Sequence, residues 1–500
     1  MRFSSLLLLG LAPVVSACTP RRVATTASSQ STNAGETVVT ILHFNDVYEI
    51  TPVEGGHAGG LARVATLRRQ LAAVHPSILT TLGGDFISPS ALGTARVDGE
   101  RLAGRQMVAV LNAVGLDWTT LGNHEFDVSE AAFRARVAES RFHYVIANVT
   151  DTTGRPFPGT VPHAIVLLKV GARTVRVGLV GAVLNSNRVA WVQYSDPIAT
   201  IKAHVAMIRD SVDIVVALTH LAIADDQRLV ESVPGIDLVL GGHEHENYQL
   251  RRGENFTPII KGDANVRTVA VVSIRLGRPG SRAVVESQLV PINESIAADA
   301  SVAAEVRHWL DLGFAGYREL GFEPDAVVAT LTSPLDGREA TVRTRAGSLS
   351  DAILAGMRRE APDAEIAIFN GGSIRVDDVI PPGPITQYDI IRILPFGGKL
   401  VRADVEGALL QRVLEQGRAN SGSGGYLQVL GATLNGGQLL VGGAPVDASR
   451  RYRVVTNDFL LTGAESGLSF FSRAAPGVSV VRELRDVRLS LIDELRATPR

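Results

Sequence analysis

From residue 38 onward, short β-branched runs alternate with helical stretches. Several of the runs end in a glycine or asparagine followed at once by a carboxylate or an imidazole. The runs are 38–44, 78–82, 118–121, 144–149, 175–180, 214–219 and 237–240, with helical spacing over Leu61–Val74 and 199–210 between them. Alternation of this kind predicts α/β layers around a largely buried sheet. Ligands of such sheets gather in the crevice outside the carboxyl ends of the strands. The residues just past each run are therefore the candidates for chemistry.

Five motifs stand there: Asn45-Asp46, Gly83-Gly84-Asp85, Gly122-Asn123-His124-Glu125-Phe126-Asp127, Thr219-His220 and Gly241-Gly242-His243-Glu244-His245. One crevice would collect Asn45, Asp46, Asp85, Asn123, His124, Asp127, His220, His243 and His245. A glycine before a ligand lets the backbone turn sharply and approach an ion or phosphate closely. A lone Gly-Asp or Thr-His is usually a turn or a capped helix start; five in order are much more specific. The set suits two divalent ions about 3.5–4 Å apart, with a bridging carboxylate and an activated water. Zn, Mn, Fe and Co all accept such donors, and composition does not choose among them. His43, inside the first strand, is read as packed. His57, His75, His143, His163, His204 and His308 lie outside the motifs and are read as surface or structural.

The 500 residues carry 49 Lys and Arg against 51 Asp and Glu, a formal net charge of −2. Nothing here would track a nucleic-acid backbone, so a polymer substrate is disfavoured. Cys18 is the single cysteine, which excludes an internal disulfide and a cysteine nucleophile in the body of the chain. At the N-terminus Arg2 precedes an apolar run, 6–11, too short to span a bilayer and shaped like a signal-peptide core. Val14-Val15-Ser16-Ala17-Cys18 resembles a bacterial lipobox, which would make Cys18 a lipidated residue. Residues 19–37, rich in Ser, Thr, Ala and Asn, read as a flexible tether.

The order and wording of the five motifs resemble the calcineurin-like metallophosphoesterases, in particular their 5′-nucleotidase branch. The resemblance implies that Asp85 bridges two metals, that Asp46 and His245 belong to one ion, and that Asn123, His220 and His243 belong to the other. His124 with Asp127 would form the dyad that supports the transition state. A carboxylate that fixes an imidazole and favours its charged form suits an anionic phosphoryl centre. One position departs from the family pattern: Asp-x-His is replaced by Asp46-Val47-Tyr48. Tyr48 could coordinate as a phenolate, which would favour a harder ion such as ferric iron, or leave its place to water.

A helical segment near 298–320, with Val302, Val306, Trp309 and Leu310 at helical spacing, leads to a second mixed region. This region resembles the C-terminal domain of 5′-nucleotidases. The carrying stretches are Asn370-Gly371-Gly372-Ser373-Ile374-Arg375, Leu394-Pro395-Phe396-Gly397-Gly398, Gly425-Tyr426-Leu427-Gln428-Val429 and Thr456-Asn457-Asp458-Phe459. By resemblance, Tyr426 and Phe459 form a base slot and Arg375 binds phosphate with its planar fork. Two departures occur. Gly463-Ala464-Glu465-Ser466-Gly467 has Glu465 where the family holds ribose with Asp, and a stretch at 346–352 is eroded. The last segment, 478–497, reads as an amphipathic closing helix.

The expected chain is thus a signal peptide with lipobox (1–18), a tether (19–37), a four-layer α/β/β/α metallophosphoesterase domain (38–297), a connecting helix (298–324) and a smaller mixed α/β substrate-recognition domain (325–500). The expected activity is hydrolysis of nucleoside 5′-monophosphates by two divalent metal ions, in an exported, periplasmic and lipid-anchored enzyme. The alternatives are a 2′,3′-cyclic nucleotide phosphodiesterase, a nucleotide-sugar hydrolase or a sulfur-ester hydrolase on the same site, or a non-catalytic nucleotide-binding lipoprotein.

Overall fold

Residues 37–277, 282–435 and 438–498 are described by the computed structural model. The leader, Cys18 and all but the last residue of the tether lie outside them. Thr37–Phe44 pairs in parallel with Leu79–Leu82 and antiparallel with Thr268–Leu276, inside a seven-stranded sheet. Arg173–Val183, Ile214–His220, Leu238–Gly241 and Thr257–Lys261 run parallel in a second, six-stranded sheet.

The two sheets pack face to face. Val39, Ile41, Val272 and Ile274 of the first interlock with Val177, Leu179, Val216 and Leu218 of the second. Alternate residues of the first strand, Leu42 and Phe44, face the other way, towards Leu61 and Val64 of the helix Leu61–Val74 and Met107 and Leu111 of Arg105–Val114. On the far side, Val215 and Ala217 meet Ile201 and Val205 of Pro197–Ile208 and Leu229 of Ile223–Ser232. Strands apolar on both faces need cover on both, and four layers, α/β/β/α, result.

The helix Ala300–Glu319 is capped by Asp299, whose side chain accepts from the Ser301 and Val302 amides, and it packs on the first region's helices. The C-terminal region holds a five-stranded mixed sheet in the order Leu427–Leu430, Ile366–Asn370, Arg451–Asn457, Lys399–Glu406, Val478–Asp486. Gly407–Ala419 covers one face; Ser348–Glu360 and Val487–Ala497 cover the other.

The closing segment corrects the sequence expectation. Only Val487–Ala497 is helical, and Val478–Asp486 is an edge strand antiparallel to Lys399–Glu406. β-branched Val478, Val480 and Val481 favour the pleated edge. The side chain of Asp486 accepts from the Arg488 amide and starts the helix only there. Among the described residues no helix is long and apolar enough to cross a membrane.

Candidate active site

All five motifs lie at the carboxyl ends of parallel strands, three from the first sheet and two from the second. Their convergence requires tight backbone. Asp46, Asp85 and His243 adopt positive φ, 53°, 58° and 89°, an uncommon conformation for residues with a Cβ. A Cβ at Gly122 would sit 2.1 Å from Asp85 Oδ1, and one at Gly242 would sit 2.4 Å from the Gly83 carbonyl. Only glycine lets these loops meet. Asn45 locks the first loop: its Nδ2 donates to Asp46 Oδ2 (2.7 Å), and its Oδ1 accepts from the Gly262 amide (2.7 Å).

Donor atoms of Asp46, Asp85 and His220 lie within 4.8 Å of one another, and all three side chains are buried. His220 Nδ1 donates to the Gly83 carbonyl (2.7 Å), which turns Nε2 towards the carboxylates. That Nε2 is 3.1 Å from Asp85 Oδ2 and 4.0 Å from Asp46 Oδ1, yet it is aligned for a hydrogen bond with neither. Asn123 Oδ1 is also buried without a partner. Buried polar atoms are nearly always hydrogen-bonded, so two orphans of ligand type, one of them His220 Nε2 beside both carboxylates, fit a cation. His243 packs with its ring 5.4 Å from that of His220, and its amide donates to Asp46 Oδ2 (2.9 Å). His245 Nε2 is 3.8 Å from Asp46 Oδ1.

Tyr48 fills its position rather than leaving it to water. The side chain is buried, and Oη stands 3.3 Å from Asp46 Oδ1, 3.1 Å from Asp85 Oδ2 and 3.0 Å from His245 Nε2. Asn265 holds it there by accepting from the Tyr48 and Glu49 amides.

The protein supplies a positive charge of its own to these carboxylates. Burial opposes a charged His220, but Asp85 and Asp46 beside it push the ring up to about 10. Burial likewise opposes a charged Asp85, yet His220 and His124 hold the carboxyl well below the usual range. Burial pushes Asp46 up. Burial and the neighbouring His220 press His243 down to about 3, leaving a neutral imidazole of the kind a metal needs.

His124 sits beside this cluster. Its amide donates to Asp85 Oδ1 (2.8 Å), its Nδ1 to Asp127 Oδ2 (2.6 Å), and Asn187 Nδ2 donates to the other oxygen of Asp127 (2.5 Å). Arg375 Nη2, from the C-terminal region, lies 3.2 Å from His124 Nε2. Arginine has donors only, so Nε2 accepts and the ring proton faces Asp127.

Buried Glu125 has no ligand role. Its carboxylate accepts from the Asp85 (2.9 Å), Phe86 (2.7 Å), Ile87 (3.0 Å) and Gly122 amides and so shapes both ligand loops. Burial and the Asp85 charge push its carboxyl up to about 7, against the pull of those amides. Beneath the histidine loops, fully buried Lys261 donates to the carbonyls of Leu221 (2.7 Å) and Gly242 (2.8 Å) and pairs with Asp226 (2.9 Å) and Glu244. One ammonium thus ties the loop after His220 to the loop before His243. Lys261→Met is expected to cost about 3–5 kcal/mol by leaving buried carboxylates unpaired. Urea denaturation checks this, and a loss under about 1 kcal/mol contradicts it.

Of the four residues expected to hold substrate, Arg375 makes a polar contact with the first region; the hydrogen bonds of the other three stay within the C-terminal region. Glu465 Oε2 accepts from Asn370 Nδ2 (2.8 Å), whose Oδ1 accepts from Asn457 Nδ2 (3.1 Å) and Ser373 Oγ (2.7 Å). The Tyr426 carbonyl accepts from the Gly371 amide (2.8 Å). The motif stretches at 370–375, 425–429 and 456–459 therefore meet at one end of the small sheet. Phe459 is 41% exposed there. Tyr426 lines a small pocket with Leu414, Arg418 and Leu434; Phe459 is not among its walls. His43, read as packed, is buried between Thr81 Oγ1 (2.9 Å) and the Gly241 carbonyl (3.0 Å).

Glu125, Asn187, Lys261, Glu339 and Asp377 all touch the site or its supports, and sequence reasoning gives none of them a role. Glu125 lies inside a quoted motif and Asp377 two residues past Arg375, which are the available signals. Lys261, a charge closing an apolar strand, is another.

Buried carboxylates and imidazoles at the ends of two packed sheets, with a His–Asp pair and an arginine fork beside them, are equipment for hydrolysing phosphoric esters. The comparisons agree. The family model for Calcineurin-like phosphoesterase matches residues 39–247, and that for 5′-nucleotidase, C-terminal domain, matches residues 327–473. The Trifunctional nucleotide phosphoesterase protein YfkN of Bacillus subtilis is 27% identical over 88% of this chain, which spans 33% of that protein's length. Protein UshA of Yersinia enterocolitica is 26% identical, covering 85% of this chain and 86% of its own. A crystal structure of a 5′-nucleotidase precursor from Thermus thermophilus shares the fold, with a TM-score of 0.76 at 24% identity over 92% of this chain and 96% of that one. The chain belongs to the calcineurin-like phosphoesterases that carry a 5′-nucleotidase C-terminal domain, and it is a hydrolase of phosphoric ester bonds.

Proposed function

We propose that this enzyme hydrolyses nucleoside 5′-monophosphates to nucleoside and phosphate outside the cytoplasm. The observation that carries this reading is the meeting of the buried Asp46–Asp85–His220 cluster, the His124–Asp127 pair and Arg375 at one place. Asp46, Asp85 and His245, with Tyr48, would hold one metal ion; Asp85, Asn123, His220 and His243 would hold the other. Bound divalent ions supply Lewis acidity and a water of lowered pKa. Arg375 binds and orients the phosphate by charge-assisted donors. His124, aligned by Asp127 through Nδ1–H, turns Nε2 to the phosphoryl oxygens once Arg375 exchanges it for the phosphate, and takes up a proton from water there as charge develops. Tyr426 and Phe459 stack on the base, and Glu465 accepts from ribose hydroxyls once it exchanges its Asn370 bond. The leader at 1–18 and Cys18 support export and a lipid anchor at a bacterial membrane.

The test is phosphate release from AMP by the chain lacking residues 1–18, with Mn, Zn, Mg or a chelator. A panel of 2′,3′-cyclic nucleotides and nucleotide diphosphate sugars run beside AMP tests the second reading, which arises because Glu465, in place of the family's Asp, changes the reach to the ribose. Release from AMP with no metal requirement, or from none of these substrates, overturns the proposal.

Tyr48 gives a further check on the geometry. In the metal-free chain Tyr48→Phe is expected to cost about 1.5–3 kcal/mol, the worth of a hydrogen bond to a charged group. An unchanged urea midpoint in the presence of chelator would show that the phenol is not bonded to Asp46 or Asp85.

A further inference from the structure

We infer that Asp377, delivered by the C-terminal domain, is the positioning residue that sets His245 for the metal centre. The inference rests on the reading of Asp46, Asp85, Tyr48 and His245 as one cation's donors. His245 faces two ways. Its Nε2 looks into the centre, 3.0 Å from Tyr48 Oη and 3.8 Å from Asp46 Oδ1. Its Nδ1 looks out of the first domain and meets Asp377 Oδ2 at 2.5 Å. A ligating imidazole needs this arrangement: the outer N–H bonds to a carboxylate, which fixes the tautomer and the ring plane and leaves the inner lone pair for the ion.

Asp377 is itself held. Its Oδ1 accepts from the Glu339 amide (2.8 Å) at the start of the helix Glu339–Val342, and its backbone has φ 39°. A non-glycine residue in that region persists only where its surroundings determine it. Glu339 is the other carboxylate within reach of His245, but it pairs with Arg343 and lies 3.8 Å from Arg375. Asp377 is thus the group free to orient the ring.

One loop makes two reaches across the domain boundary. Arg375 meets His124 on the dyad side, and Asp377, two residues on, meets His245 on the ligand side. The affinity of one metal position therefore depends on where the C-terminal domain stands. A hydrolase built this way holds that ion most tightly when the domain carrying the substrate is docked.

The experiment strips metal from the full chain and measures Zn and Mn uptake at equilibrium against a chelating dye, for the parent, Asp377→Ala and Asp377→Asn. The parent is expected to take up two equivalents. Asp377→Ala is expected to weaken one of them about 10–100-fold and leave the other unchanged, the usual effect of losing a ligand's outer partner. Asp377→Asn keeps the volume and an oxygen for the Glu339 amide, so it folds if the alanine variant does not; its Nδ2 then donates to His245 Nδ1 and puts the ring proton on Nε2, so it is expected to weaken the same equivalent at least as much. Both variants binding both equivalents within twofold of the parent overturns the inference and leaves the metal centre standing. A parent that takes up no metal overturns the metal centre and this inference with it.

Discussion

His124→Ala is expected to lower the turnover of AMP about 10²–10⁴-fold while leaving bound metal unchanged. The range is what a positioned acid–base side chain contributes. The structure gives the reason for the split. The imidazole is held at Nδ1 by Asp127, which Asn187 holds in turn, and Nε2 points to Arg375, the residue read as the phosphate fork. None of those contacts is with Asp46, Asp85 or His220 side chains. The one hydrogen bond His124 makes to Asp85 comes from its backbone amide, on Oδ1, and alanine retains that. The effect should therefore fall on kcat more than on KM, since the interaction is made most strongly as charge develops on the phosphoryl oxygens. Steady-state kinetics with elemental analysis of the same sample checks both halves. Loss of metal in step with activity would place His124 among the ligands instead.

Removing metal is expected to abolish hydrolysis and to destabilise the fold at once. Asp46 and Asp85 are buried side by side, and without a metal ion only the neighbouring imidazoles, His220 foremost, compensate them. Binding that occurs only in the folded chain stabilises it by about 2.7–4.1 kcal/mol at metal concentrations 100–1,000 times Kd. Chelation should lower the unfolding free energy by at least that amount, since the figure is for one site and two are expected, and returning Mn or Zn should restore both stability and activity. Phosphate release that persists in the stripped protein would sink the two-metal reading. A midpoint that does not move would show that the ions add nothing to the native state.

Much of the first domain is readable because two local rules act together there. Strands buried on both faces need unbroken apolar runs, and parallel strands all deliver their ends to the same edge. Asp46, Asp85, Asn123, His220 and His243 can thus be grouped, though far apart in the chain, before any coordinates. The antiparallel partners Thr268–Leu276 and Val284–Pro291 are not singled out, because nothing functional ends them and their pattern is shared with many surface strands. The segment 478–497 misleads for a related reason. Its apolar residues satisfy a helical period, but the free edge of Lys399–Glu406 claims Val478–Asp486 for a ladder before Asp486 can cap a helix.

The strand–helix alternation, the glycines that let the motif loops touch, and the carboxylates and imidazoles that end the strands are legible in the chain itself, since each is a local property of a few neighbouring residues. Tertiary structure alone decided that Tyr48 points its hydroxyl among the ligand atoms, that Lys261 fastens two histidine loops, and that Arg375 and Asp377 cross from the second domain to His124 and His245. The physical reason is that a single charged or phenolic side chain has no period to betray it. Its role is fixed by which partners burial leaves within about 3 Å, and those partners come from segments distant in the chain.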